Sequence, residues 1–237
     1  MRGYSVTHPP GLAVLPTESG WDQLLYTASG TMTVTVLGAR WTIPPHRALS
    51  IPDSSPATIA NRFPVAVRSL YVDAALGVFP SGARALEIVG FPRELLLHVV
   101  RRCPLDLADH HDAALLTVLV EQLRGLPDAP VRLPWPQDVR AVAAATRIVE
   151  DAAADLTRAA GAVGSSRRTL ERVFRQETGL TLGTWQRRAR ILGSLEHLAA
   201  GESAMATAVA AGYSTPSAYV AAFHRELGRT PRRFLHP

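Results

Sequence analysis

The sequence contains no lysine, so all 25 of its Lys/Arg positions are arginine. That absence says little about function, because genome base composition can exchange one basic residue for the other. Cysteine is nearly absent too: Cys103 stands alone, which excludes an internal disulfide framework. No apolar run approaches the roughly 18 residues that cross a bilayer, so no membrane partner is expected. The opening MRGYSVTHPPG lacks the apolar stretch of a secretory signal, and a cytoplasmic location is expected. There is no P-loop, Rossmann fingerprint or nucleophile elbow, and no enzymatic activity or cofactor is expected.

What is present is apolar bulk and an uneven charge. With 237 residues, 47% of them apolar, the chain can fill more than one core. Residues 1–137 hold 11 arginines against 11 carboxylates, whereas 138–237 hold 14 against 9, so the whole net charge of +5 lies in the last hundred residues. Such a footprint suits a polyanionic partner.

The two halves also differ in period. From Trp21 to Asp73, short β-rich segments alternate with turn residues: QLLY, TMTVTVL, RWTI, ALSIP, ATIA and AVRSLYVD. Met32, Val34 and Val36 alternate with threonines, the period of a strand with two unlike faces, and the set predicts a small barrel or sandwich. From Arg93 the pattern becomes helical, with RELLLHVVRRC and DHHDAALLTVLVEQLRG as two helices. LPDAPVRLPWP then places four prolines in 11 residues, which no helix interior tolerates, and is taken as a linker.

Beyond Gln137 an internal repeat emerges. At an offset of 49 residues Leu170 matches Tyr219, Phe174 matches Phe223, and Glu177, Gly179 and Thr181 match Glu226, Gly228 and Thr230. Ser166 and Thr215 align as helix N-caps. Each copy reads as a short Ala-rich helix, a turn, and a capped helix ending at glycine, the helix-turn-helix layout. A long helix through Trp185, Ala189, Leu192 and Leu195 joins the copies.

At about 100° per residue, the helix from Arg167 sets Leu170, Val173 and Phe174 on one side and Arg168, Glu171, Arg172 and Arg175 on the other. An arginine fork can bond guanine O6 and N7 together, and Glu171 either accepts from cytosine N4 or orients a neighbouring arginine. The matching outward positions of the second copy, Ser217, Val220, Ala221 and His224, include no arginine, so the first unit is expected to dominate specificity. Arg225, Arg229, Arg232 and Arg233 are expected on phosphates, which position without specifying.

SSRRTLERVFRQETG and GYSTPSAYVAAFHRELGRTPRRFL resemble the two motifs of the AraC/XylS transcription regulators, over residues 138–237. The resemblance implies double-stranded DNA as partner. It places base-contacting positions at Arg168, Glu171 and Arg172 in the first recognition helix and at Pro216, Ser217 and Ala221 in the second; Ser166, Arg167, Arg175, Arg225, Arg229 and Arg232 complete the expected interface. QLLYTASGTMTV, GARWTIPPHRA and LSIPDSS resemble the cupin-type N-terminal domain of a subgroup of these regulators. Where relatives carry metal-binding histidines this chain has Thr17, Ser19 and Ala57, so no metal is expected.

The fold expected is therefore α+β, in four parts: a cupin-like ligand or regulatory barrel over 1–90, a helical linking and dimerising segment over 91–125, a Pro-rich linker over 126–137, and an all-α double helix-turn-helix domain over 138–237. Trp21, Gln23 and Trp41 are the candidate effector-binding residues, with Thr33, Thr35 and Tyr71 as further lining. The stripe Ala113, Leu116, Val120 and Leu123 is the candidate homodimer surface, and RNA polymerase is a further candidate partner. The function expected is a sequence-specific transcription regulator under small-molecule control; the alternative is a constitutive regulator whose first domain serves only dimerisation or protein contacts.

Overall fold

The computed structural model describes residues 1–236. The chain divides into two compact units, one built from Met1–Leu37 and Ile43–Val131, the other from Gly38–Thr42 and Arg132–His236.

In the first unit, β1 (Arg2–His8), β3 (Trp21–Ser29), β6 (Arg47–Ile51), β8 (Val65–Asp73) and β9 (Arg84–Glu87) form an antiparallel sheet in the order β1-β8-β3-β6-β9. β2 (Gly11–Val14), β7 (Thr58–Asn61) and β4 (Met32–Val36) pair antiparallel beside one another. Alternation gives the first sheet two faces. Leu24, Tyr26, Leu70 and Val72 point to one side, where they pack with Leu96, Val99, Leu119 and Leu123 of α1 (Gly90–Arg102) and α2 (His110–Arg124). Gln23, Leu25, Val67, Ser69 and Tyr71 alternate with them, and the register sets Gln23 opposite Tyr71 and Leu25 opposite Ser69.

The expected dimer stripe on α2 is occupied from within. Leu116 and Leu123 are buried in this core and Val120 packs against it, because the sheet needs a helical cover to keep its apolar side from water. The expected linker over 126–137 also differs from the structure. Ala129, Val131 and Leu133 are buried, and Arg132–Pro134 forms β10, paired antiparallel with β5 (Ala39–Ile43). Pro134 is tolerated because β10 is a short edge strand, where a missing N–H donor leaves no ladder bond unmade.

The second unit continues with α3 (Val139–Glu150), α4 (Leu156–Gly161), α5 (Arg167–Thr178), α6 (Leu182–Ala199), α7 (Ala204–Ala210), α8 (Pro216–Leu227) and α9 (Pro231–Leu235). The 49-residue repeat is reproduced in backbone geometry. Ser166 and Thr215 cap α5 and α8 with their side chains, and both helices close on glycines with φ 74° and ψ −3°, Gly179 and Gly228. Trp185, Ala189, Leu192 and Leu195 of α6 are buried between the copies they join.

Candidate nucleic-acid interface

α5 starts where it does because Ser166 is extended and its Oγ accepts from the Thr169 N–H at 3.1 Å. With Leu170 and Phe174 buried, the wheel turns Arg168, Arg172 and Arg175 fully outward, and Arg167 is exposed beside them. None of these four pairs with a carboxylate among the described residues. Glu171 is half-buried between them, and its Oε2 is shielded from solvent with no hydrogen-bond donor among the described residues.

α8 is built alike and presents different chemistry. Thr215 Oγ1 accepts from the Ala218 N–H at 3.2 Å, and Pro216 occupies the first turn, where an N–H would have no helical acceptor. Tyr219, Ala222, Phe223 and Leu227 face inward. Ser217, Ala221 and His224 are exposed, and with Pro216, Val220 and Thr230 they line a shallow, largely apolar depression. Arg225, Arg229, Arg232 and Arg233 are exposed around it.

Behind both helices runs an aromatic frame. Phe174 meets Trp185 edge-on at 5.1 Å, Trp185 meets Trp135 at 5.4 Å, and the indole N–H of Trp185 donates to Pro134 O at 2.7 Å. In the second copy Tyr219, Phe223 and Phe234 follow one another at 5.8 and 5.6 Å. Ser194 Oγ lies 2.9 Å from the Tyr219 hydroxyl, and burial pushes that phenol up to about 12. Not every arginine of the basic half faces outward. Arg188 donates to Arg132 O at 2.7 Å and lies 3.7 Å from Glu226, and Arg40 stacks on Trp135 with its guanidinium carbon 3.5 Å from the ring centre.

Residues 137–236 match the family described as a helix-turn-helix domain. Over 218 residues the chain is 27% identical to the HTH-type transcriptional regulator NimR of Escherichia coli (strain K12), spanning 90% of this chain and 79% of that protein. Among solved structures, ToxT from Vibrio cholerae aligns over 100% of this chain and 98% of its own, at 10% identity and a TM-score of 0.42. A transcriptional regulator with an AraC-type DNA-binding domain from Chromobacterium violaceum aligns over 41% of this chain and 89% of its own, at 22% identity and a TM-score of 0.39. The second unit carries an AraC-type DNA-binding domain.

Within the AraC-type domain, the expected base readers Arg168, Glu171 and Arg172 share one face of α5, and Pro216, Ser217 and Ala221 share one face of α8. In the first unit the expected effector residues separate. Gln23 lines a cavity of about 270 Å³ together with Tyr4, Val6, Glu18, Ser69 and Tyr71. Trp21 lies under the Arg2 guanidinium, 4.4 Å from its ring centre, and borders a smaller neighbouring recess. Trp41 belongs to the second unit, on β5. Tyr4, Glu18 and Ser69 were not singled out from sequence; the alternation of Arg2, Tyr4, Val6 and His8 was the available signal, since strand β1 brings them beside Ser69 and Val67. Among the described residues no three His, Cys, Asp or Glu side chains gather as metal ligands would, and no helix is long and apolar enough to cross a membrane.

Proposed function

We propose that this chain is a sequence-specific, cytoplasmic transcription regulator that reads bases chiefly through α5 and is controlled by a small molecule held in its first unit. The observation that carries the reading is the pairing of two alike, capped helices with unlike outer faces: α5 presents four exposed arginines and α8 a nearly uncharged one. Free arginine forks suit guanine edges. Glu171 makes no ion pair among the described residues, and it either accepts from cytosine N4 or orients Arg168 or Arg172. α8 adds weaker contacts from Ser217 and Ala221, while Arg225, Arg229 and Arg232 hold phosphates. The two helices enter successive major grooves about 34 Å apart.

Effector control is supported by the cavity around Gln23, which has an apolar wall and a few placed polar groups. A ligand there acts only through tighter binding to one arrangement of the protein than to another. Selection of fragments from randomised DNA tests the reading. A recovered motif, bound roughly 10³-fold or more above scrambled DNA, supports it; enrichment without a motif, lost steeply with salt, overturns it in favour of nonspecific phosphate binding.

A further inference from the structure

Resting on that effector reading, we propose that the cavity beside Gln23 takes an uncharged, flat molecule carrying a hydrogen-bond acceptor at one end. Its volume, about 270 Å³, suits a small ring compound. Val6, Leu25 and Val67 give apolar walls, and the rings of Tyr4 and Tyr71 stand at 86° with centres 5.8 Å apart, so a planar guest meets one face and one edge.

The polar end is defined by counting protons. The amide of Gln23 has two hydrogens and commits both, to Ser69 Oγ at 3.1 Å and to Tyr71 Oη at 2.9 Å. Each hydroxyl oxygen is thus an acceptor; the Ser69 hydroxyl also bonds to that of Tyr71, so the pair keeps one proton to give, that of Tyr71 when Ser69 donates. Burial and the nearby Glu18 charge raise the Tyr71 phenol above its ordinary value, which keeps that proton in place. The cavity therefore offers one free O–H donor, and the complementary group is a carbonyl or ester oxygen.

Charge narrows the class further. No arginine lines the cavity; Arg2 stands at its rim with its guanidinium on Glu18 at 2.6 Å and over Trp21. A carboxylate guest would face Glu18 with only His8 to offset it, and an ammonium guest would find Glu18 already paired. Burying either without a partner costs far more than burying an ester.

The test uses the full chain and matched probes sharing one ring: methyl benzoate, benzoate and benzylammonium, with their naphthalene counterparts. Binding is read by ligand-observed NMR and by thermal melting. The esters are expected to bind at least ten-fold tighter than either charged partner. Tyr71→Phe and Ser69→Ala, which keep the bulk of the wall, should weaken the esters about three- to ten-fold. Val67→Trp, which fills the cavity, should abolish binding, and the two smaller variants decide the matter if it does not fold. Charged probes binding as tightly as esters, ester binding untouched by both hydroxyl deletions, or no binding by any probe would each overturn the proposal. DNA affinity measured with and without methyl benzoate separates it from the reading beneath it. Ester binding that responds to the variants while DNA affinity stays unchanged supports the cavity chemistry and refutes effector control.

Discussion

Arg172 on α5 and Arg225 on α8 are both exposed arginines, yet they should fail differently. Arg172→Ala is expected to cost roughly 1 to 3 kcal/mol on the selected site and to relax preference at one base pair. Arg225→Ala should weaken all sequences alike and reduce the salt slope by about one. Titrations against single-base variants of the site check both; specificity surviving Arg168→Ala and Arg172→Ala but lost with Ser217→Ala would move the dominant reader to α8. Tyr219 supplies a pH test. Its folded pKa, about 12, exceeds the ordinary phenol value of 10.0, because burial opposes the charged form. Below pH 10 the hydroxyl is protonated in both states; above it the unfolded chain gives up its proton first, so stability falls as pH rises, by roughly 2 to 3 kcal/mol once pH reaches the folded value. Tyr219→Phe should lack this fall while losing about 1 kcal/mol at neutral pH with the Ser194 bond. Urea unfolding from pH 8 to 11 gives the comparison, and parallel curves for the two proteins would refute it. Cys103, flanked by arginines in sequence, is governed by burial, which raises its thiol pKa and makes it a slow nucleophile.

Elements were legible where a period or a cap announced them. The six β-rich segments between Trp21 and Asp73 correspond to β3 through β8, and the offset of 49 placed α5 and α8 by their caps. β1 escaped because its alternation rests on only two apolar residues, Tyr4 and Val6, which as part of an edge strand are both left exposed. β9 has too few residues for a period to show, and β10 was hidden by its prolines. The candidate site follows the same logic. Gln23 and Tyr71 stood out on strong strands, whereas Ser69 and Tyr4 join them only through pairing register, which no single strand carries. The turn between α7 and α8 offers a sharp test of local geometry. Gly212 has φ +75°, and a Cβ there would lie 2.6 Å from the carbonyl oxygen of Ala152, a backbone atom that cannot swing aside. Gly212→Ala should therefore cost more than the roughly 1 to 2 kcal/mol of a left-handed alanine alone. A shift in urea midpoint no larger than that of Gly179→Ala, whose Cβ would meet open space, would show that the Ala152 backbone yields.

For the whole molecule, composition located the basic half correctly but not the seam between units. The proline-rich stretch reads as a spacer, yet its residues up to Val131 belong to the first unit and those from Arg132 to the second, which also takes Gly38–Thr42, a segment that sequence order assigns to the strands of the first. The reason lies in Trp185. Its indole N–H donates to Pro134 O, its ring packs on Trp135, and Arg188, about one turn further along α6, donates to Arg132 O, so the segment before residue 138 completes a core that the helices leave open. A fragment of residues 138–237 would expose one face of Trp185 and leave its N–H, and the Arg188 guanidinium, without those acceptors. Compared with a fragment of residues 131–237, it should be less stable by about 1 to 3 kcal/mol, the cost of polar groups losing their partners together with part of an aromatic contact. The longer fragment should in turn fall short of the second unit in the full chain, because it still lacks Arg40, which stacks on Trp135, and the strand that pairs with β10. Urea unfolding followed by tryptophan fluorescence reports on Trp185 in both fragments, and on Trp135 as well in the longer one. Equal midpoints for the two would mean that the helices alone hold the domain and that residues 131–137 are the spacer their prolines suggest.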